Sequence, residues 1–228
     1  MRLRQSIRSM RWVTQALLVP MLLAACAGTG THRGTVLWPL REIGQVAGQP
    51  TEIAGAPEAM PSGANAGVCF DGVDDGLFMA VNPLAGWDAF TIEVRIKPDV
   101  LGPEEQRFVH LEDDARRRVL LETRLDSAGW SLDTFLFQDA DHKRTLLDRS
   151  KRHPAGRWYW VALVYDGRTM SHYVNGILEL EGEVPFGPMT AGRTSVGVRQ
   201  NRVSWFKGCI DQARFTPAAL PAASLQRR

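Results

Sequence analysis

The sequence predicts an all-β fold, a two-sheet antiparallel sandwich behind an N-terminal signal segment, and three observations carry that reading. Strand-length runs of alternating apolar and polar residues recur, clearest where Phe90, Ile92, Val94 and Ile96 alternate with Thr91, Glu93, Arg95 and Lys97 before Pro98. Turn residues punctuate the runs, and Asp166-Gly167 and Asn175-Gly176 sit at strand ends, where Asx-Gly supplies the backbone freedom a tight hairpin requires. No stretch sustains a helical period, which leaves sandwich or jelly-roll architectures.

The chain opens on an export signal. Arg2, Arg4, Arg8 and Arg11 precede the apolar run Trp12 to Leu23, and the small residues Ala24 and Ala25 mark a cleavage point. The run holds Thr14, Gln15 and Pro20 and falls short of the ~20 apolar residues of a spanning helix, so residues 1–25 read as a cleaved signal. Cys26 after Leu23-Ala24-Ala25 resembles a bacterial lipobox. That resemblance implies a lipoprotein, with diacylglycerol on the thiol and a further acyl chain, such as palmitate, on the new amine. Two or three acyl chains would hold it to a membrane. The competing reading is an ordinary signal followed by a chance cysteine. Ala27 is not aspartate, which under the usual sorting rule of Gram-negative bacteria favours the outer membrane.

Removing residues 1–25 takes away four of the 27 basic residues and none of the 25 acidic ones. The mature chain carries 23 against 25, formally −2. No basic run exceeds Arg116-Arg117-Arg118, so the electrostatic footprint of a nucleic-acid partner is missing. The 203 residues that remain of 228 suit one domain.

In order along the chain, residues 26–34 read as the lipidated cysteine and a flexible, small-residue tether. The domain proper is expected at 35–220, followed by a tail at 221–228. Val36, Trp38 and Leu40 alternate as a first strand, and the Gly/Pro-rich passage from Gly44 to Gly67 is too broken for a long element. Beyond Phe90 to Lys97, strands are expected at Arg107 to Glu112, Arg118 to Arg124, Trp130 to Gln138, Trp158 to Tyr165, Met170 to Val174, Thr194 to Val198 and Lys207 to Phe215. The two Asx-Gly turns mark out a β-meander. With Cys26 assigned to lipid, Cys69 and Cys209 form an even pair in an oxidising compartment, which invites a disulfide; two buried free thiols are the alternative.

A set of segments now resembles a known family. Phe70-Asp71-Gly72-Val73-Asp74-Asp75, Phe90-Thr91-Ile92-Glu93 with Pro98, Trp158 with Val161-Ala162, Tyr173-Val174-Asn175-Gly176, Ser195-Val196-Gly197, and Phe206-Lys207-Gly208 with Ile210-Asp211 are similar in order and spacing to bacterial laminin-G-like, concanavalin A-like jelly-roll domains. Gln212 departs from the hydrophobic or acidic residue usual after Ile-Asp. The resemblance implies two antiparallel sheets, a concave face often used for sugars, and first and last strands side by side where Cys69 and Cys209 fall.

Three chemistries are candidates. Asp71, Asp74, Asp75 and Asp211 supply hard oxygen ligands, and relatives often hold one structural calcium ion at such a place. The same segments are also ordinary turn sequences whose carboxylates cap their own backbone. A polar set on or beside expected strands forms a candidate glycan groove: Arg107, His110, Glu122, Arg124, Asp133, His172, Tyr173, Arg199, Asn201 and Trp205. Planar rings stack on sugar faces while Arg, Asn and Asp bond hydroxyls or acidic substituents. Solvated strand faces account for any one of these residues.

Catalysis is the least supported. No Glu-x-Asp-x-x-Glu strand motif occurs; Glu112-Asp113-Asp114 reads as a turn, and Glu122 has only Asp126 nearby in sequence. A lyase acting on an acidic polysaccharide would draw its base from His110, His172 or Tyr173 and neutralise a carboxylate with Arg107, Arg199 or Asn201. The expectation is therefore an envelope lipoprotein, membrane-held through its N-terminal lipid, whose domain binds a glycan or cell-envelope polymer. The alternatives are a polysaccharide lyase or glycosidase-like enzyme on the same fold, and a protein-binding or structural envelope module.

Overall fold

The computed structural model describes residues 34–60, 62–63 and 66–227. The signal segment, Cys26 and the tether as far as residue 33 lie outside the described residues. Among the described residues seventeen strands follow in chain order: β1 (Val36–Pro39), β2 (Gln45–Val46), β3 (Gln49–Pro50), β4 (Glu52–Ala54), β5 (Glu58–Met60), β6 (Gly67–Asp71), β7 (Gly76–Met79), β8 (Phe90–Pro98), β9 (Glu105–Asp113), β10 (Arg118–Asp126), β11 (Gly129–Phe137), β12 (Lys143–Leu147), β13 (Tyr159–Tyr165), β14 (Thr169–Val174), β15 (Ile177–Glu183), β16 (Gly192–Val196) and β17 (Lys207–Thr216). One sheet has the order β15-β14-β13-β8-β17-β6-β5, with β1 also paired to β17; the other runs β12-β11-β10-β9-β16-β7-β4. All pairings within the two sheets are antiparallel. The non-sequential neighbours make this a jelly roll.

The apolar half of the β8 alternation packs as expected: Phe90, Ile92, Val94 and Ile96 are fully buried between the sheets, each contributing ~2 to 3 kcal/mol by area removed from water, whereas of the polar half Thr91 and Glu93 are buried as well. Trp38 meets Phe215 edge-on at 4.9 Å, fixing β1 to the final strand. At the Asn-Gly turn both residues have positive φ, 51° at Asn175 and 75° at Gly176, so β14 folds directly onto β15 and completes the meander β13-β14-β15. Cys69 and Cys209 are opposed across β6 and β17 and joined as a disulfide, with Cα atoms 3.9 Å apart.

Several boundaries differ from expectation. β6, β7 and β12 arise in stretches whose short or exposed runs give little alternation. Glu112 and Asp113 belong to β9 and are buried; the turn begins at Asp114. Residues 221–227 are packed against the domain: Leu225 is buried beside Ala162, Val164 and Leu220, and the Gln226 N–H donates to Glu93 Oε1 at 2.6 Å. Thr91 ties down the approach to this strap, donating to the Ala218 carbonyl and accepting from the Leu220 N–H. Among the described residues no helix is long and apolar enough to cross a membrane.

Candidate functional site

The outer face of the seven-stranded sheet is the place where polar side chains converge. Its geometry depends on one irregularity. Val109 pairs with Leu121 and Arg107 with Glu122, so Phe108 is an extra residue in β9, a β-bulge. Arg107 and His110 are three residues apart and would otherwise point to opposite faces. The bulge puts both on the outer face, and sends Phe108 inward against Phe206, ring centroids 5.8 Å apart.

The loop from Gly197 to Phe206 folds back over β9. Gly197 has φ 82°, and a Cβ there would overlap the Phe70 ring, so only glycine makes this corner. Phe206 anchors the far end in the core, and its N–H closes the loop on the Gly197 carbonyl at 2.8 Å. Ser204 lies over Arg107, whose guanidinium donates to its hydroxyl at 2.5 Å, and the Gln200 N–H donates to His110 Nδ1 at 3.0 Å.

Towards β10 and β11, Arg107 Nε donates to Glu122 Oε1 (2.9 Å), and Arg124 donates to Glu122 Oε2 (3.0 Å) and Asp133 Oδ2 (2.7 Å); both guanidinium groups also pair with Glu105. Glu122 and Asp133 are direct cross-strand neighbours, 2% and 1% exposed. Burial, then the charge of Asp133, pushes the Glu122 carboxyl up to about 7, and burial raises Asp133 as well. Three carboxylates share two guanidinium groups here, Glu122 and Asp133 buried and Glu105 exposed, and the cluster braces β9, β10 and β11. The sequence contains no sign that Glu122 meets Asp133, because register alone brings them together.

Beyond this brace lie three neighbouring cavities that share Arg193 in their lining. The smallest, about 120 Å³, is lined by Arg116, Arg118, Arg193 and Arg199 together with His110 and one carboxylate, Glu112. Arg193 also borders a cavity of about 390 Å³ beside Asp114 and one of about 520 Å³ containing Phe78, Gln200 and Arg202. Glu112 Oε1 is engaged by Arg116 (3.2 Å) and Arg193 (3.4 Å), and Arg202 pairs with Glu52 while stacking 4.6 Å over Phe78. The field is positive: burial first, then Arg199, Arg118, Arg107 and Arg193, drives the His110 ring down to about 3.

The remaining candidates separate. Arg199 and Asn201 border the small cavity. Trp205 stands over Gly76 rather than among them. His172 points between the sheets, donor or acceptor to Thr134 at 3.0 Å, and Tyr173 lies on the outer face of the other sheet under the C-terminal strap. Of the bases a lyase might use, His110 alone borders the arginine groove. Asp71, Asp74 and Asp75 each offer an oxygen within 4.8 Å of the others, a set that could hold a metal ion. Asp71 Oδ1 accepts the N–H groups of Val73, Asp74 and Asp75, and Asp75 accepts from Ala56 and Asp71, so the turn chemistry is also present. Asp211 is not among them: it sits four residues along β17 from the partner of Asp71 and pairs with Arg41 and Arg95.

A second recess, about 500 Å³ on the outer face of the eight-stranded sheet, contains Trp158, Trp160, Arg95 and Asp211, with Arg95 stacked 4.8 Å over Trp158. In the sequence Trp160 reads only as a strand residue, and Trp158 as a strand residue that also carries the family resemblance.

Comparison with known structures gives a consistent fold. Domain 4 of AbnA, a GH43 extracellular arabinanase from Geobacillus stearothermophilus in complex with arabinotriose, superposes with a TM-score of 0.57 at 17% identity, covering 83% of this chain and 85% of that one. The binding domain of Paraclostridial Mosquitocidal Protein 1 gives 0.63 at 12% identity over 83% of this chain, which spans half of that one. The Ruminococcus gnavus IT-sialidase CBM40 bound to α2,3 sialyllactose gives 0.50 at 19% identity, covering 61% and 80%. At these identities the likeness is one of fold. No curated protein matches the sequence. The family model Laminin_G_3 matches residues 71–226, and the chain therefore belongs to the concanavalin A-like lectin/glucanases superfamily.

Proposed function

We propose that this protein is an envelope lipoprotein whose jelly roll binds carbohydrate on the outer face of its seven-stranded sheet. The observation that carries the reading is the group of three cavities that share Arg193 in their lining, a polar surface furnished with planar guanidinium groups and the Phe78 ring. Fold neighbours described as bound to arabinotriose and sialyllactose support a carbohydrate as ligand. A glycan-array screen of the purified protein tests it. Retention of one glycan class, lowered at least ~10-fold (about 1.4 kcal/mol) in Arg193→Ala, is expected; retention on nothing, or retention indifferent to Arg193, overturns it.

Cys26 carries the lipid that holds the protein at the outer membrane, so Cys26→Ala shifts it to the soluble fraction; continued pelleting with membranes contradicts the anchor. Asp71, Asp74 and Asp75 hold a structural calcium ion, compatible with the hard oxygen donors gathered there. Chelation with EDTA then lowers the melting temperature and added calcium restores it, and an unresponsive melt removes calcium from the account.

A further inference from the structure

We infer that the small cavity above His110 is a receptor for a single carboxylate, so that the glycan taken by this groove is an acidic one, a uronic or sialic acid type of sugar. The inference rests on the reading of this face as the glycan site and adds to it the chemistry of the ligand.

The donor that points to it is fixed by local bonding. Gln200 presents a backbone N–H to His110 Nδ1, so Nδ1 carries the lone pair and, in a neutral ring, Nε2 carries the hydrogen. His110 is 1% exposed, and its Nε2 has no hydrogen-bond partner among the described residues; the nearest carboxylate oxygen, on Glu112, is 3.8 Å away. A buried donor without an acceptor is costly, commonly ~1 to 3 kcal/mol, unless something outside the protein supplies one. The His110 ring is part of the lining of the small cavity, with Nε2 itself closed to bulk solvent.

A second unfilled donor stands beside it. Arg118 Nε is buried and unpartnered, and the guanidinium carbon sits over the Phe137 ring, 4.0 Å from its centroid. An oriented guanidinium edge matches the two oxygens of a carboxylate. Arg118 and Glu112 are also cross-strand neighbours, but Glu112 is already engaged by Arg116 and Arg193. With Arg199 as the fourth arginine on the rim, four guanidinium groups face one carboxylate, a net deficit of negative charge that an acidic sugar supplies. About 120 Å³ accommodates the carboxylate and part of one ring; the wider cavities that share Arg193 with it take neighbouring units.

The test follows the two donors by nuclear magnetic resonance in the intact protein at neutral pH. The His110 ring gives the Nε2–H tautomer in the free protein. Titration with glucuronate, galacturonate and N-acetylneuraminate is expected to shift His110 Nε2–H and Arg118 Nε–H together for at least one acid, while glucose and galactose leave both unmoved. Arg118→Gln weakens that acid at least ~10-fold, and Arg118→Lys, which keeps the charge and loses the fork, weakens it several-fold, both with unchanged melting temperature. If all three acids leave the two signals unmoved, or neutral sugars shift them equally, the carboxylate receptor is wrong. Retention of neutral glycans through Arg193 alone would leave the carbohydrate reading standing and discard this inference; loss of all glycan retention discards both.

Discussion

Thr134 Oγ1 and His172 Nδ1 lie 3.0 Å apart across the gap between the two sheets, a polar tie in the middle of the apolar sandwich. The ring is 1% exposed, and burial, reinforced by nearby His153, brings its pKa down to about 4. Its neutral form is the one the fold accepts.

Acid sensitivity follows from that histidine. A folded pKa below the unfolded value of about 6.5 contributes stability that is fully present above pH 6.5 and lost as pH falls toward 4, worth roughly 3 kcal/mol. Thermal melts between pH 7 and 4 should show this decline, and His172→Gln should flatten it. A slope identical in the variant would assign the acid response elsewhere, with His110, depressed to about 3, the next group to examine.

The brace of Arg107, Arg124, Glu105, Glu122 and Asp133 predicts an asymmetric pair of substitutions. Arg124→Ala strips the countercharge from two buried carboxylates and should cost ~3 to 5 kcal/mol in urea unfolding. Glu122→Gln resembles the protonated form that burial and Asp133 already favour, and should cost less than ~1 kcal/mol. Equal losses would show that Glu122 is needed as a charge.

At the root of the groove loop, Gly197→Ala must adopt a positive φ and displace the Phe70 ring. A stability loss of ~2 to 4 kcal/mol is expected from strain and overpacking together, with the His110 and Gln200 resonances shifting most. An unperturbed His110 signal would uncouple the corner from the site.

The Cys69–Cys209 bond closes a loop with a sequence separation of 140. Reduction, or the double substitution to alanine, should lower stability by up to ~4 to 5 kcal/mol, since the cross-link restricts the unfolded chain. Thiol titration of the denatured, unreduced protein should find neither cysteine free.

The parts of this structure that local sequence dictates were readable from it. β8 alternates because one of its faces is core, and Asn175-Gly176 turns because few other residues accept two positive φ values in succession. The opposition of Cys69 and Cys209 was accessible through the family resemblance. The groove was only half legible. Arg107 and His110 share a face because of one extra residue in β9, Glu122 finds Asp133 through strand register, and Gln200 reaches His110 through a loop with positive φ at Arg202 and Ser204. None of these has a local pattern. His172 and Tyr173 show the converse: neighbours in sequence and both polar, they serve opposite sides of one sheet.

The pairing of β1 with β17 also sets how an anchored molecule would stand. The chain enters the fold on the eight-stranded sheet, whereas the arginine groove lies on the far side of the other one. Thr35 follows Cys26 by nine positions, a reach of at most ~30 Å. A lipid at that cysteine would keep the entry side toward the bilayer and turn the arginines away from it, so the headgroups of its own membrane would be the poorest placed of all acidic partners.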